Sequence, residues 1–211
     1  MTAQETYPSF LRNLLDRAGV DVELIVSALH GVYMGYAVRR FERMVRRHKP
    51  AYVLIMLGAN DAVPAGRNSS TSPEDFQAAL ETLVKLCTLA NARAIIASPT
   101  PRSDTRSSFL LASFAETARS VAEQSELPFV DLFTRLNEER FLNELLPDCQ
   151  HPNPAANRII ADLVLECLLE IPGIQRTAPR EMATPIDGQA TEPGAAPLNE
   201  FCSHDHTSGS P

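Results

Sequence analysis

Short apolar runs alternate with helical patterns from Tyr7 to about Ile174, and few folds are compatible with that order. The run "AYVLIML", from Ala51 to Leu57, is continuous and β-prone, as is typical of a parallel strand covered on both faces. Further short strands are predicted at Val22 to Leu29, at "RAIIAS" and at "LPFVDLF". Because helices separate the strands, we predict a parallel sheet with right-handed crossovers, in a flavodoxin-like three-layer α/β/α sandwich.

The helices between these strands are predicted from apolar spacing and from their end signals. "SPEDF" indicates a helix start, with Ser72 as N-cap and Pro73 at the first position. An arginine-rich segment around Val38 to Val45 has helical spacing, and we interpret its arginines as a solvated face. Other helices are predicted at Tyr7 to Ala18, at Ser72 to Asn91, at Ser107 to Gln124 and at Pro154 to Leu169.

The character of the sequence changes near residue 175. Residues 1–174 are predicted to form one domain, whereas residues 175–211 are rich in Pro, Gly, Ala, Ser and Thr without periodicity and predict a disordered tail. His204 and His206 within the tail are too few to indicate a metal site, and solvated side chains are the simpler interpretation. We therefore expect neither a metal nor a cofactor.

Composition and charge exclude several classes of partner. The 211 residues are 44% hydrophobic and 21% charged, as in globular proteins, and the net charge of −7 argues against nucleic acid or an anionic membrane. No apolar run could span a bilayer, and "MTAQETYPSF" has no signal-peptide pattern. The four cysteines have no CxxC spacing, which favours free thiols and a cytoplasmic location. Secretion stays open if an N-terminal segment is missing. The sequence does not indicate an oligomeric state.

Polar residues follow the predicted strands, where α/β proteins place their functional groups. In "GANDA", the side-chain amide of Asn60 could donate to an oxyanion, but the local sequence alone favours a turn in which Asn60 and Asp61 cap the backbone. Gly31, in "SALHGVYMG", could bring a backbone N–H close to a substrate or could simply form a turn.

"DCQHPN" provides the strongest chemical pattern. His151 follows Asp148 by three residues, so the carboxylate could hold one ring nitrogen while the other acts as a base. The alternative is a capping aspartate followed by a surface histidine. Cys149 between them could suggest a thiol nucleophile, but a cysteine in the same turn as its base is poorly placed for that role.

In combination, these blocks resemble the SGNH hydrolases, also called GDSL-type esterases and lipases. "LGAND" is similar to their Gly-x-Asn-Asp block, "DCQHPN" to their Asp-x-x-His-Pro-Asn block, and "YPSFLRNLL" to the helix that follows their nucleophile. The resemblance implies hydrolysis of a small-molecule acyl ester by a Ser-His-Asp mechanism. It assigns His151 as the general base, Asp148 as its orienting partner, and Asn60 and Gly31 as oxyanion donors.

The chain departs from the family pattern at the nucleophile. It contains no Gly-Asp-Ser triplet, and only six residues precede Tyr7, too few for a strand and its loop. Without that strand, the segment from Val22 to Leu29 would face "AYVLIML" across a gap, and each buried unpaired backbone group would cost about 1–3 kcal/mol. The domain is therefore interpreted as N-terminally incomplete. A catalytically inactive short form and a strand supplied by a partner are the alternatives.

Two other functions compete with ester hydrolysis. A non-catalytic binding module on the same fold would account for the missing serine. In a flavodoxin-like regulator, "GAND" and "DCQH" would only form turns and helix caps. The sequence has no phosphate-cradling glycine loop that would support this alternative. The acyl and alcohol parts of a substrate are not indicated by the loops. "VPAGRNSSTS", with Arg67, is expected to border the site.

Overall fold

A computed structural model of the chain describes residues 5–62, 71–103, 105–139 and 142–174. Their sheet has three parallel strands in the order β1 (Tyr52–Met56), β2 (Arg93–Ala97) and β3 (Phe129–Val130). Tyr52 pairs with Arg93 and Met56 with Ala97, while Ile96 pairs with Phe129. The predicted parallel arrangement is confirmed, and the strands' carboxyl ends lie along one edge of the sheet.

Helices connect and cover these strands. Ser72 is the N-cap of the helix beginning at Pro73, as predicted, and its Oγ accepts a hydrogen bond from the Asp75 N–H at 3.0 Å. The helices are α1 (Tyr7–Arg17), α2 (Met34–Arg39), α3 (Phe41–Met44), α4 (Ala59–Ala62), α5 (Pro73–Leu89), α6 (Thr105–Gln124), α7 (Leu132–Asn137), α8 (Leu142–Leu145) and α9 (Pro154–Glu170). A short 3-10 helix, Arg46–His48, follows α3.

Two apolar cores lie on opposite faces of the sheet. Ile55 packs with Phe76 of α5 and Phe114 of α6, whose rings stack at 4.2 Å between centroids. Leu54 points to the other face, where Leu11 of α1 and several α9 side chains form the second core. Successive strand residues point to opposite faces, so β1 contributes to both cores. This arrangement confirms the three-layer α/β/α sandwich.

The structure corrects two predicted elements. Val22 to Leu29 was expected to be a buried strand, but it has no regular structure, and Val22, Ile25, Val26 and Leu29 are 43% to 58% exposed. An apolar run forms a strand only when a neighbour pairs with its backbone, and none lies beside it among the described residues. The arginine-rich segment is divided into α2, α3 and the 3-10 helix, rather than forming one helix.

The expectations for the cysteines, for a membrane span and for the tail have different outcomes. Cys87 and Cys167 are free, and burial raises the pKa of the Cys87 thiol to about 11. Cys149 is disulfide-bonded, so the expectation of free thiols throughout is wrong. None of the helices in the described ranges is long and apolar enough to cross a membrane. The predicted tail, residues 175–211, lies outside the described residues, as does Arg67.

Candidate active site

Asp148 and His151 form a hydrogen-bonded pair in the turn before α9. His151 Nδ1 lies 2.6 Å from Asp148 Oδ2, while the His151 backbone N–H donates to Asp148 Oδ1, also at 2.6 Å. The turn is tight because Cys149 adopts a left-handed conformation, with φ +64°. With Nδ1 bonded to the carboxylate, Nε2 is the ring nitrogen through which His151 can exchange a proton with a substrate.

The same hydrogen bonds explain the acidity of Asp148. Partial burial alone would raise the pKa of its carboxyl group. The hydrogen bonds from the backbone and ring of His151, the Gln150 N–H and the charge of His151 outweigh that effect. They lower the pKa from 3.8 to about 2. Asp148 is therefore an anion over the whole range in which a histidine base functions.

Gly31 and Asn60 are brought together at the carboxyl end of β1. Asn60, in α4, donates through Nδ2 to the Val32 carbonyl oxygen at 2.9 Å. Gly31 directly precedes Val32 and has φ +72°, a left-handed conformation that favours glycine. No atom lies within 4 Å of the position that a Cβ would occupy on Gly31. The hydrogen bond to Val32 thus fixes the amide of Asn60 beside the open turn at Gly31.

Asp61 anchors this region, a role that the sequence analysis missed. Its side chain is 0% exposed, and its two carboxylate oxygens accept from the Met34 N–H at 3.2 and 3.1 Å. Thr71 donates its hydroxyl to Oδ1 at 3.0 Å and its backbone N–H to the Asp61 carbonyl at 2.9 Å. One buried carboxylate therefore joins the loop after Gly31, α4 and the segment before α5. Its place beside Asn60 in "GAND" was the available signal.

Asn157 links the histidine turn to α1 and was also missed. It is 6% exposed; its Oδ1 accepts from the Tyr7 N–H at 3.0 Å, and its Nδ2 donates to the Pro152 carbonyl at 2.8 Å. The first turn of α1 is thereby fixed next to the residue that follows His151. Tyr7 and Asn60 line one cavity of about 710 Å³. The cavity thus extends between the start of α1 and the Gly31–Asn60 pair.

The loop after β2 closes another side of the histidine turn. The Arg102 guanidinium donates to the Gln150 side chain, and the Ser103 N–H donates to the Cys149 carbonyl at 3.2 Å. Within the described ranges, no serine hydroxyl is hydrogen-bonded to the His151 ring. No group of three His, Cys, Asp or Glu side chains there is placed to hold a metal ion. The described residues thus contain a histidine ring that is hydrogen-bonded to a carboxylate.

The chain is similar to a known family of proteins. Residues 2–159 match the GDSL-like Lipase/Acylhydrolase family. The chain belongs to this family. The match covers most of the chain, so the resemblance inferred from "LGAND" and "DCQHPN" is confirmed, and with it the expectation of an ester hydrolase.

Individual GDSL-like relatives agree with that assignment. An arylesterase of Vibrio mimicus is 25% identical over 175 residues, covering 81% of this chain and 82% of the relative. An acetylxylan esterase of Geobacillus stearothermophilus superposes with a TM-score of 0.70 at 20% identity, over 77% of this chain and 80% of that one. A lipase/acylhydrolase of Enterococcus faecalis gives a TM-score of 0.69 at 21% identity, over 76% and 83%. These two structures show that the fold is shared.

Proposed function

We propose that this GDSL-like protein hydrolyses small acyl esters, with acetyl esters as the first class to test. The observation that supports the proposal most directly is the Asp148–His151 pair, in which Nδ1 is bonded to a carboxylate 2.6 Å away. A histidine held in this way is suited to general-base catalysis. The names of the relatives, an arylesterase and an acetylxylan esterase, suggest short acyl groups.

In the proposed mechanism, a serine hydroxyl attacks the ester carbonyl while His151 Nε2 accepts its proton. The Asn60 Nδ2–H and the Gly31 N–H donate to the oxyanion that forms. His151 then protonates the departing alkoxide, which leaves an acyl-serine. His151 next removes a proton from a water molecule, which attacks the acyl-serine. The bond to the serine oxygen breaks, His151 returns the proton to that oxygen, and the carboxylic acid is released. Asp148 orients the imidazole and stabilises its protonated form throughout.

The nucleophile in this proposal is the serine of a Gly-Asp-Ser segment that precedes α1. This follows from the interpretation that residues 1–174 form an incomplete domain. Two observations support it: the start of α1 is bonded to Asn157 beside the histidine turn, and Tyr7 lines the cavity that also reaches Asn60. A strand ending at this point would deliver its last side chain between the histidine turn and the Gly31–Asn60 pair.

The test is hydrolysis of p-nitrophenyl acetate by a protein extended before Met1 with an apolar strand ending in Gly-Asp-Ser. We expect the extended protein to be active and His151→Ala to lower kcat/KM by about a thousandfold or more. Asn60→Ala should lower kcat by about a hundredfold, since an oxyanion donor acts in the transition state. Glu123→Ala is the control, because Glu123 is exposed near the end of α6 and does not line the cavity, and it should leave hydrolysis unchanged.

Two results would contradict the proposal. Undiminished hydrolysis by His151→Ala would show that another group is the base. A folded extended protein without any hydrolysis of p-nitrophenyl acetate or phenyl acetate would favour the non-catalytic binding module instead. Hydrolysis by the 211-residue chain itself would rule out that module and would place the nucleophile within the chain.

A further inference from the structure

Positive charge is concentrated in one stretch of an otherwise acidic chain. The whole chain has a formal net charge of −7, yet residues 39–49 contain six of its 19 Lys and Arg residues and a single acidic residue, Glu42. This stretch covers the end of α2, α3 and the 3-10 helix, and its cationic side chains are all exposed. We call them the basic surface: Arg39, Arg40, Arg43, Arg46, Arg47 and Lys49. A local concentration of one sign of charge attracts partners of the opposite sign.

Most of the basic surface has no acidic partner within the described part of the chain. Arg46 pairs with Glu42 at 3.0 Å, and both side chains are exposed. None of the other five cations forms an ion pair with a described carboxylate. Their exposure agrees with the solvated face expected from the sequence. These like charges nonetheless repel one another, and carboxylates from a partner would relieve that repulsion.

Two guanidinium groups of the basic surface are held in place by tyrosine rings. The Arg39 guanidinium carbon lies 5.6 Å from the centroid of the Tyr33 ring, and Arg39 Nη2 donates to the Tyr33 hydroxyl at 2.6 Å. Arg40 lies over the Tyr36 ring at 5.8 Å. Gly35 leaves room for this arrangement, since a Cβ there would lie 3.2 Å from Tyr33 Cε2 and 3.5 Å from Arg39 Nη1. Arginines that are ordered beforehand lose less conformational freedom when they bind a carboxylate.

An apolar hollow adjoins the basic surface. It has a volume of about 340 Å³ and lies between the α2–α3 region and the end of α5. Its apolar lining consists of Val38, Phe41, Leu86, Leu89 and Ala90. Leu89 is 70% exposed, whereas Phe41 is 5% exposed, so the hollow extends from solvent to the core. Sites that bind apolar groups have volumes of about 300–1,000 Å³, so the hollow has room for one or two large apolar side chains.

We propose that the basic surface and the hollow together bind an acidic segment of another protein. A leucine or phenylalanine side chain of that segment occupies the hollow, and carboxylates on both sides of it bind the arginines. Arg39 and Arg46 line the hollow itself, so a carboxylate within a residue or two of the apolar side chain can reach them. Because a guanidinium group is a planar fork of donors, each arginine can bind a carboxylate through two hydrogen bonds.

Other anionic occupants fit this surface less well. A flat bilayer surface does not enter a hollow, and Leu89 is the only large exposed hydrophobic side chain among the described residues that lines it. Nucleic acid would bring phosphates without an aliphatic side chain for the hollow, and Glu42 among the arginines would repel it. The inference does not rest on ester hydrolysis, because neither His151 nor Asn60 lines the hollow and the readout is binding.

Binding can be measured by fluorescence anisotropy with the full chain and three labelled peptides. GDEELFDEEG has the proposed chemistry, GDEESSDEEG has the same charge without the apolar side chains, and GNQQLFNQQG has the same apolar side chains without the charge. We expect saturable binding of GDEELFDEEG, and binding at least about tenfold weaker for each of the other two peptides. Sodium chloride at about 0.5 M should weaken the binding of GDEELFDEEG by about fivefold or more, since the arginines are exposed.

Variants of the protein test the hollow and the basic surface separately. Leu89→Asp should weaken binding of GDEELFDEEG by about tenfold or more, because it places a charge in the hollow. Arg39→Glu should have a similar effect, because it replaces a cation that binds a carboxylate by an anion that repels it. If Arg39→Glu does not fold, Arg43→Glu, at another exposed position of the basic surface, replaces it. Phe109→Asp and Arg135→Glu are the matched controls at exposed positions that do not line the hollow, and both should bind the peptide normally.

Four results would overturn the proposal. Two of them are the absence of saturable binding of GDEELFDEEG and equal binding of the three peptides. The third is binding of phosphatidylglycerol vesicles by the wild type but not by Arg39→Glu, which would assign the surface to an anionic bilayer. The fourth is a dimer of the protein that Leu89→Asp dissociates and GDEELFDEEG does not, because a second copy would then occupy the hollow.

Discussion

The two carboxylates nearest the proposed catalytic groups are held in opposite ways. Asp61 is completely buried and accepts from Met34 and Thr71, whereas the Asp148 side chain is 56% exposed and bonds within its own turn. The first carboxylate is a structural anchor, and its loss leaves buried donors unpaired. The second holds the His151 ring, and solvent screens its effect on stability.

Replacement of Asp61 should destabilise the protein. Asp61→Asn places an amide N–H against the Met34 N–H or the Thr71 hydroxyl, and we expect the free energy of unfolding to fall by about 1–3 kcal/mol. Urea denaturation measures the change. Asp75→Asn, at an exposed position in the first turn of α5, is the control and should cost less than about 1 kcal/mol. Equal changes in the free energy of unfolding for Asp61→Asn and Asp75→Asn would argue against a specific anchoring role of Asp61.

The Asp148–His151 pair should give stability a dependence on acid pH. A carboxyl group whose pKa is lowered by folding stabilises the folded state above its unfolded pKa, and the contribution disappears as the pH falls through the folded pKa. For Asp148 the contribution is full above about pH 4 and lost by about pH 2, since folding lowers the pKa from 3.8 to about 2.

The measurement compares urea midpoints of the wild type and Asp148→Asn. We expect a difference of less than about 1 kcal/mol at pH 5, because the pair is exposed, and convergence of the two proteins towards pH 2. A difference that grew on acidification through this range would contradict the assignment.

At the level of elements, the junction of β1 and α4 determines where Asn60 lies. Gly58 has φ +125°, and a Cβ there would lie 3.0 Å from the Pro99 Cβ and 3.2 Å from Phe76 Cε2. Both the conformation and the space therefore require glycine. Since Asp61 N–H bonds to the Gly58 carbonyl at 3.0 Å, the glycine also fixes the first turn of α4.

Gly58→Ala is thus expected to destabilise the protein by about 1–3 kcal/mol from backbone strain, with the close contacts adding to that cost. The control is Gly173→Ala, because Gly173 has φ +92° but no atom within 4 Å of its Cβ position. Gly173→Ala should cost less, since it has strain without a clash. Thermal unfolding distinguishes the two variants. A smaller loss of stability for Gly58→Ala than for Gly173→Ala would show that Pro99 and Phe76 move to accommodate the methyl group.

For the molecule as a whole, the sequence predicted those features that depend on residues close together in the chain. Ser72 as N-cap and Pro73 at the first helical position predicted the start of α5. The three-residue spacing of Asp148 and His151 is enough to bring their side chains into hydrogen-bonding contact. Contacts between distant segments could not be predicted, since Asp61 meets Met34 and Asn157 meets Tyr7 only after folding. Residues 22–29 have a strand's composition, but composition cannot supply the neighbour that a strand needs.

The two hydrogen bonds from Thr71 to Asp61 have a consequence for how such a protein could diversify. Asp61 and Thr71 hold together the two ends of the connection from α4 to α5. The length of this connection therefore has little effect on the rest of the fold, because doubling the length of a loop costs only about 0.6 kcal/mol. Insertions or exchanges between 62 and 70 should therefore leave His151, Asn60 and Gly31, the residues of the proposed mechanism, in place. New specificities could arise there through recombination of a single short stretch of sequence, without change to the groups of the proposed mechanism.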